Sequence, residues 1–443
     1  MEEQQELEAI QTDYGMMQGV LSEKDNQIVA FKGIRYATAE RFAYPHRIDH
    51  VDGVYDATHF GACSFQERAF VPENEYPEKS DRYFYWNEFR RNETYEYSDD
   101  CLFLNIWTPL KSLRHETGKL PVVFFIHGGG FTGGCGHEKP FSGEEWCKRG
   151  VIVVTINYRV GPFGFMCLPQ LKKERGYCGN YGLFDQLTAL QWVYRNIDSF
   201  GGNPTAITLM GQSAGAISIQ QMIGSPLTSG LYSSTISLSC GGATKIMNSG
   251  SLTAEEVYPF WQEMADELGN PSVEELRTMD PQIITKAFSI LREKRKDAAA
   301  MLMPIRDGRF VIHSATEVLK NHLEHRMPSI MSTTKNDLAA PILRKMAKKW
   351  TKEENERDIS SYRSYFTRDL PGDKRGSFHS SDLWYAFHTL DRCWRPFEQV
   401  DYDLADKMIT YYSEFVKNQD PNREDLPHWH RATKNNYVMR FDV

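Results

Sequence analysis

The stretch AITLMGQSAGA, residues 206–216, decides the fold class of this 443-residue chain. It begins with a compact apolar run typical of a strand and continues into GQSAG, residues 211–215, which fits the pattern G-x-S-x-G. That pattern needs a sharp turn from strand to helix, with glycines where side chains would clash. A helix-like run, residues 216–223, follows. The motif alone is common and also fits a plain turn, but this placement favours Ser213 as a nucleophile.

Apolar runs before this stretch predict the rest of the sheet. LFLNIW, PVVFFI and VIVVTIN begin at Leu102, Pro121 and Val151 and are rich in the residues of strands buried on both faces. Between the last of these and the GQSAG strand, Asp185–Ile197 has apolar residues at helical spacing. Strand, helix and strand in succession predict an α/β fold, with a central, mostly parallel sheet flanked by helices.

No repeat, low-complexity linker or shift in composition divides the chain, so we interpret residues 1–443 as a single domain. Residues 251–300 are helical in pattern and highly charged, which indicates a helical insertion or cap. Residues 71–100 are polar with many aromatic rings and are interpreted as a surface excursion near the pocket. Short strands over Tyr14–Tyr36 are expected to form an antiparallel edge of the sheet.

Bulk composition excludes several classes of function. A net charge of −8 and a pI of about 5.9 disfavour nucleic acid and anionic membranes as partners. The N-terminal sequence MEEQQELEAI has neither the basic nor the apolar region of a secretory signal, and no apolar run is long enough to span a membrane. We therefore expect a cytoplasmic protein that acts on a small molecule. The eight cysteines lack CxxC and CxxH spacing, so no metal site is expected.

A second motif follows the predicted strand that ends at Ile126. It reads HGGGF, residues 127–131, and glycine-rich loops of this kind supply backbone N–H donors to the oxyanion of acyl transfer. Gly128, Gly130 and Gly133 also satisfy the dinucleotide pattern G-x-G-x-x-G. A dinucleotide site requires a helix that begins directly after these glycines and an acidic residue at the end of the next strand. Here the next predicted strand ends at Asn157, which is not acidic. The motif therefore favours an oxyanion loop.

A serine hydrolase of this fold has its acid and its histidine after the serine in the chain. Four late histidines qualify: His379, His388, His428 and His430. The last two flank a tryptophan and suit packing or surface roles, while His388 lies inside a helix-like run. His379 lies at a junction between a loop and a helix, where a base held above the nucleophile is expected. Asp337 follows an apolar segment that could end a strand, which makes it the candidate acid.

Together these motifs resemble the type-B carboxylesterase and cholinesterase family. The resemblance runs from GIRYA (Gly33–Ala37) to VMRF near the end and is densest in SDDCLFLNIWTP, HGGGF, VIVVTINYRVGPFGF, GNYGLFDQLTALQWVYRNIDSFGGNP and GQSAGA. It implies an α/β-hydrolase domain that hydrolyses carboxylic esters through an acyl-enzyme, with no metal or organic cofactor. Carried over by position, it implies a triad of Ser213, Asp337 and His379, oxyanion amides at Gly129, Gly130 and Ala214, and substrate contact by Phe131.

The chain departs from the family pattern at four points. Asp337 replaces the usual glutamate, and Gln212 replaces the glutamate common before the nucleophile. The segment between Asp337 and His379 is shorter than in typical members, which predicts a shortened cap and an open site that tolerates bulky esters. Cys63 and Cys101 match a pair that is disulfide-linked in secreted members; without a signal peptide we expect thiols here.

Two other functions are compatible with the same residues. The family includes members that lost the nucleophile and act in adhesion, although the retention of Ser213, the glycine loop and His379 together argues against that reading. An amidase or a thioesterase would use the same triad, and the sequence does not separate these from an esterase. It also gives no indication of the oligomeric state.

Overall fold

A ten-stranded sheet forms the centre of the fold. The computed structural model describes residues 7, 9–242, 244, 247–433 and 436–443. The strands in this part of the chain are β1 (Ile10–Thr12), β2 (Gly15–Gln18), β3 (Val20–Leu21), β4 (Ile28–Arg35), β5 (Ala37–Thr38), β6 (His46–Arg47), β7 (Val54–Asp56), β8 (Cys63–Ser64), β9 (Tyr97–Ser98), β10 (Phe103–Pro109), β11 (Leu120–Ile126), β12 (Ile152–Ile156), β13 (Gly202–Gln212), β14 (Ser234–Leu238), β15 (Ser329–Thr334), β16 (Ser361–Phe366) and β17 (Met439–Phe441).

The strand order in the large sheet is β17-β16-β15-β14-β13-β11-β12-β10-β4-β3. All neighbours from β17 to β12 pair in parallel, and the edge formed by β10, β4 and β3 is antiparallel. Smaller sheets pair β1 with β2 and β7, β5 with β6, and β8 with β9. The prediction of an α/β fold with a mostly parallel central sheet is confirmed.

Helices cover both faces of this sheet. They are α1 (Asp81–Phe89), α2 (Leu110–Leu113), α3 (Glu144–Lys148), α4 (Gly161–Phe165), α5 (Pro169–Arg175), α6 (Tyr181–Asn196), α7 (Ala214–Ile223), α8 (Ala254–Glu267), α9 (Val273–Thr278), α10 (Pro281–Lys294), α11 (Ala298–Met301), α12 (Ala315–Asn321), α13 (Ala340–Glu356), α14 (Leu383–Ala386) and α15 (Gln399–Asn418). Within the described residues, no helix combines the length and the apolar character that crossing a lipid bilayer requires.

Strand β11 shows how the sequence builds two hydrophobic cores. Its alternate side chains Val122, Phe124 and Ile126 enter one core, whereas Val123 and Phe125 enter the other. Helices α6 and α7 contribute to the first core, and α14 and α15 contribute to the second. Each fully buried side chain of this size stabilises the fold by about 1.5–3 kcal/mol. A strand that is buried on both faces gains this from every residue, and its sequence is therefore a continuous apolar run.

The segments at 251–300 and 71–100 each contain helices with defined starts. Helices α8 and α9 begin with capping boxes at Thr253 and Ser272, in which side chain and backbone exchange hydrogen bonds with a glutamate three residues on. Helix α10 then packs against α8 and α4. In the other segment, the Ser80 hydroxyl accepts a hydrogen bond from the Tyr83 N–H and starts α1.

The carboxyl ends of the parallel strands bring the predicted site residues to one edge of the sheet. The HGGGF loop follows β11, Ser213 follows β13 and Asp337 follows β15. The loop after β16 continues to His379, and Asn336 and Phe378 form an isolated parallel bridge that joins these last two loops. In open α/β sheets, ligands bind at this edge.

Candidate active site

The turn at Ser213 holds a strained backbone conformation. Ser213 has φ 55° and ψ −119°, and it lies between the last residue of β13 and the first residue of α7. A positive φ is costly for a residue with a side chain, of order 1–3 kcal/mol, and persists only where the surroundings enforce it. Here they do, because a Cβ atom on Gly215 would lie 2.0 Å from the Ile126 carbonyl oxygen. The turn therefore packs directly on the end of β11.

The structure brings His379 and Asp337 into direct contact. His379 Nδ1 lies 2.5 Å from Asp337 Oδ1, and both side chains are buried. Asp337 Oδ2 accepts a second hydrogen bond from the Thr334 N–H at 3.1 Å. Burial raises the pKa of Asp337, but the hydrogen bond and charge of His379 and the Thr334 N–H outweigh it, so the pKa falls below its usual value. Asp337 is thus an anion that fixes the orientation of the imidazole.

The other imidazole nitrogen faces Gln212. Gln212 Nε2 lies 3.2 Å from His379 Nε2 and donates a hydrogen bond to Ser380 Oγ at 2.7 Å. With Nδ1–H given to Asp337, the lone pair of Nε2 is left to accept, which is the tautomer a general base needs. In the described part of the chain this amide, rather than the Ser213 hydroxyl, is the group hydrogen-bonded to Nε2. Such contacts of the nucleophile often tighten only when substrate is bound.

The glycine loop after β11 has backbone angles that favour glycine. Gly129 has φ 110° and Gly130 has φ 62°. A Cβ atom on Gly129 would lie 2.0 Å from the Gly133 carbonyl oxygen. The loop closes on itself, since the N–H groups of Thr132 and Gly133 both donate to the Gly129 carbonyl oxygen. A side chain at Gly129 would therefore force the loop into another conformation.

Phe131 lies in the hydrophobic core. Only 1% of its surface is exposed, and its ring packs against Phe165 with centroids 4.9 Å apart. Its carbonyl oxygen accepts a hydrogen bond from the Gly161 N–H at 2.6 Å. Phe131 is also absent from the described residues that line the cavity beside Ser213. Its packing therefore supports the loop from behind.

A cavity of about 460 Å³ contains the nucleophile and the base. Ser213, His379 and the glycine loop line it. Charged residues from several segments also line it: Glu67, Arg68, Glu73, Asp81, Arg82, Arg90, Glu138 and Arg292. A second cavity of about 470 Å³ is lined by methionines at positions 247, 301, 303 and 346, and none of the triad candidates lines it. The first cavity is therefore the candidate active site, because Ser213 and His379 line it and do not line the second.

The charged lining is an ion-pair network that the sequence did not reveal. Arg68 contacts Glu138 at 2.6 Å, and Arg90 contacts Glu73 at 2.7 Å and Glu138 at 3.3 Å. Burial raises the pKa of Glu138, but the two arginines outweigh it and hold that pKa below its usual value. Gln66, next to this network, anchors the glycine loop by exchanging hydrogen bonds with the backbone of Gly134.

Cysteine side chains lie behind the loop. Cys63 and Cys101 are both free thiols. Cys63 belongs to a group with Cys135 and His137 whose ligand atoms all lie within 4.8 Å of one another. Among the described residues, this is the group of histidine, cysteine and acidic side chains that could hold a metal ion.

Comparisons with known proteins identify the family of this chain. The model of the carboxylesterase family matches residues 6–370 and 359–442. Para-nitrobenzyl esterase of Bacillus subtilis (strain 168) is 30% identical over 335 residues, which cover 74% of this chain and 62% of that protein. Bile salt-activated lipase of Mus musculus is 33% identical over 327 residues, 69% of this chain and 49% of the lipase. The chain thus spans less than two thirds of the length of these relatives.

Solved structures match over nearly the whole chain. A carboxylesterase from Geobacillus stearothermophilus aligns with a TM-score of 0.77 and 26% identity, covering 98% of this chain and 96% of that one. A thermophilic para-nitrobenzyl esterase aligns with a TM-score of 0.79 over the same shares; at 23% identity it supports the fold alone. The resemblance found in the sequence is therefore confirmed: the chain belongs to the carboxylesterase family and has its α/β-hydrolase fold.

Proposed function

We propose that this protein is a serine hydrolase that cleaves carboxylic esters through an acyl intermediate on Ser213. The proposal rests on one observation above all: His379, which contacts Asp337 at 2.5 Å, lines the same cavity as the strained Ser213 turn. Membership of the carboxylesterase family supports it, as do relatives named as an esterase and a lipase.

In the acylation step, His379 Nε2 takes the proton of Ser213 as Oγ attacks the carbonyl carbon of the ester. Negative charge then develops on the carbonyl oxygen, and the N–H groups of Gly129, Gly130 and Ala214 stabilise it. His379 next gives its proton to the leaving alcohol. Asp337 keeps Nδ1 protonated and stabilises the positive imidazolium between these transfers.

In the deacylation step, water takes the place of the alcohol. His379 removes a proton from this water, which attacks the acyl carbonyl, and the same N–H groups stabilise the second oxyanion. His379 then returns the proton to Ser213 Oγ, and the carboxylic acid leaves. Every proton in the cycle passes through one imidazole nitrogen, so the orientation that Asp337 imposes matters in both steps.

We propose small-molecule esters as substrates, including esters with bulky alcohol groups. A cavity of about 460 Å³ suits a small molecule. The segment between the acid and the base contributes only α13 and β16 as regular elements, and Leu338 at the cavity wall is 60% exposed. Both features support an open rim on that side. A panel of acetate esters with increasing alcohol size tests this, and a steep loss of kcat/KM with size would contradict it.

We extend the proposal to a compartment that keeps thiols reduced, such as the cytoplasm. All eight cysteines are free thiols, and seven of them are buried. Free thiols of this number are typical of reducing compartments. A thiol count on protein isolated without reductant would contradict this extension if it fell well below the number of cysteines.

Ser213→Ala tests the proposal directly. The variant should lower kcat for short aryl esters at least about 10⁴-fold, because no other group forms the acyl intermediate. It should also abolish covalent labelling by a fluorophosphonate, with the label on wild-type protein mapping to the Ser213 peptide. Ser218→Ala is the matched control, since Ser218 is a fully buried serine of α7 whose hydroxyl has no hydrogen-bond partner among the described residues.

The other outcomes separate the alternatives. Turnover and labelling that persist in Ser213→Ala would overturn the assignment of the nucleophile. Absence of both in well-folded wild-type protein would favour a catalytically inactive, interaction-only role. An amide or thioester that is cleaved faster than the ester of the same acyl group would redirect the proposal to an amidase or a thioesterase.

A further inference from the structure

Three side chains with metal-binding chemistry meet behind the glycine loop. Cys63 lies in β8, and Cys135 and His137 follow the loop glycines in the chain. Cys63 Sγ lies 3.7 Å from His137 Nε2, and the ligand atoms of all three residues lie within 4.8 Å of one another. The ester hydrolysis proposed above uses none of these residues.

We propose that Cys63, Cys135 and His137 bind one divalent cation of the zinc class. Thiolate and imidazole are the ligands that zinc prefers in structural sites, with bonds of about 2.3 Å and about 2.0–2.1 Å. In tetrahedral geometry these bond lengths hold the sulfur and the nitrogen about 3.6 Å apart. The 3.7 Å between Cys63 Sγ and His137 Nε2 matches this separation.

The backbone around the ligands is held in place by the protein itself. The N–H of Cys63 donates to the Glu96 carbonyl oxygen at 2.8 Å. Asn157 joins the two ligand segments, since its Oδ1 accepts from the Gly136 N–H at 2.8 Å and its Nδ2 donates to the Ala62 carbonyl oxygen at 2.9 Å. A site fixed in this way loses little conformational entropy when an ion binds.

Unpartnered polar atoms mark the same place. Cys63 and Cys135 are 1% and 3% exposed. Beside them, the Tyr95 hydroxyl and His137 Nδ1 are buried and have no hydrogen-bond partner in the described part of the chain. The Tyr95 ring lies 5.4 Å from that of His137. Buried polar groups without partners are rare, and a metal-bound water as the fourth ligand would give the Tyr95 hydroxyl a partner.

The charges balance when the ion binds. The thiols of Cys63 and Cys135 each lose a proton to solvent, and the two thiolates neutralise the two charges of the cation, while His137 binds as a neutral imidazole. The cations nearby do not oppose this, because Arg68 and Arg90 are already paired with acids. The ion would tie the end of the glycine loop to β8.

Metal content and cobalt absorption test this site without any assay of ester hydrolysis. Protein purified with a thiol-free reductant, loaded with Zn²⁺ and passed over a chelating resin should retain about one zinc per chain. Loading with Co²⁺ should give thiolate-to-cobalt charge transfer in the near ultraviolet and strong d–d bands of a tetrahedral ion. Added Zn²⁺ should raise the Tm of the wild type in a concentration-dependent manner.

Cys135→Ser and His137→Asn should each weaken Zn²⁺ binding at least about 100-fold in chelator competition and abolish the charge transfer or shift it. The matched control is Cys167→Ser/Cys178→Ser, because these two thiols are also buried and lie 2.8 Å apart but lack a histidine ligand in the described group. The control should bind zinc as the wild type does.

Several results would overturn the proposal. Wild-type protein that retains well below one zinc, or zinc that survives in both single variants, would do so. A wild type that binds no zinc after reduction, and that on air oxidation loses two hydrogens in a peptide pair mapped to Cys63 and Cys135, would instead show that these two residues form a disulfide. Because wild-type zinc content is itself decisive, a variant that fails to fold does not remove the test. The esterase proposal stands or falls separately on Ser213→Ala.

Discussion

The nucleophile side and the base side of the cavity are built in different ways. On the nucleophile side, the Ser213 turn and the Gly129 loop are held by backbone packing. A Cβ atom added at Gly129 or at Gly215 would clash with a backbone carbonyl oxygen. On the base side, Asp337 and His379 are held by hydrogen bonds between ionisable side chains. Steric constraints do not change with pH, whereas such hydrogen bonds do. The two sides should therefore fail differently when they are altered.

Two buried aspartates on the base side make this dependence visible. Asp337 receives hydrogen bonds from His379 and the Thr334 N–H, and its pKa is lowered. Neither oxygen of Asp382 has a hydrogen-bond partner among the described residues, and burial, with the charge of Asp337, raises its pKa to about 7. The pKa values of these two aspartates thus shift in opposite directions, and the number of hydrogen-bond donors to each carboxylate decides the direction.

Asp337→Asn should produce the largest effect on the base side. An amide at this position offers an N–H where His379 Nδ1–H needs an acceptor, which favours the wrong tautomer. We expect kcat to fall about 10³–10⁴-fold with little change in KM, as measured with short aryl esters. Asp337→Glu, which restores the usual family residue, should recover much of the rate. Equal loss in both variants would argue that another acid completes the triad.

The same substitution has a signed effect on stability. The folded-state pKa of Asp337 is depressed, so its contribution is present above the unfolded pKa of about 3.9 and is lost as pH falls through the folded pKa. The free energy of unfolding of Asp337→Asn should therefore lie below that of the wild type at pH 7, and the gap should narrow in acid. Urea titrations of the variant and the wild type at pH 7 and in acid measure this difference in the free energy of unfolding.

Gly129→Ala should damage the nucleophile side by about 10²–10³-fold in kcat, the loss expected when an oxyanion donor is displaced. The added methyl would lie 2.0 Å from the Gly133 carbonyl oxygen, so the loop must move. Because no ionisable group takes part, the shape of the pH–rate profile should not change. Gly269→Ala is the control: its φ is also positive, at 82°, but nothing lies within 4 Å of the added carbon.

A changed pH profile in Gly129→Ala would contradict the division into a steric side and an ionic side. A full rate in this variant would show that the loop relaxes without loss of its donors. In Gly269→Ala we expect only a modest loss of stability and unchanged kinetics, since backbone strain far from the cavity acts on folding alone.

The nucleophile side could be predicted almost completely from the sequence, because its signals are local. HGGGF and GQSAG each follow an apolar run, and each motif encodes its own turn within five residues. The apolar runs themselves are the strands β11 and β13, and the alternation along β11 fills two cores. Short-range patterns of this kind survive in one sequence without knowledge of the tertiary contacts.

Contacts between distant segments were not predictable in the same way. Phe131 was expected to contact substrate because it adjoins the oxyanion loop, yet tertiary packing places its ring on Phe165. Gln66 anchors the glycine loop from a separate segment, and no motif marks it. The network of arginines and glutamates that lines the cavity joins three separate segments, at residues 68, 73–90 and 138, and no motif marks these residues.

The cysteines give the same lesson. Spacing rules for zinc sites look for two ligands separated by two to four residues, so the pair Cys135 and His137, separated by one residue, was passed over. The third member, Cys63, comes from a different strand. Only the folded chain brings these three ligands together, so the metal site proposed here had no signature in the sequence.

Asp382→Asn should give the smallest effect and the cleanest sign. The folded-state pKa of Asp382 is raised to about 7 from an unfolded value near 3.9, so the folded state binds more protons within that interval. The contribution is fully present below the unfolded pKa and is lost as pH rises towards 7, a change of about 4 kcal/mol at most. The asparagine variant has no charge to bury and should lack this loss.

The informative quantity is therefore the difference in the free energy of unfolding between the variant and the wild type. That difference should move in favour of Asp382→Asn between pH 5 and pH 8, by about 1–3 kcal/mol, whatever constant cost the amide adds. Asp401→Asn is the matched control, because Asp401 is a buried aspartate whose pKa is lowered by Arg368 and Tyr385 against the effect of burial. The difference in the free energy of unfolding between Asp401→Asn and the wild type should stay constant from pH 5 to pH 8, because Asp401 titrates below this range. A difference that stays constant for Asp382→Asn as well would show that Asp382 is already ionised over this range in the folded protein, and the base side would then hold two anions rather than one.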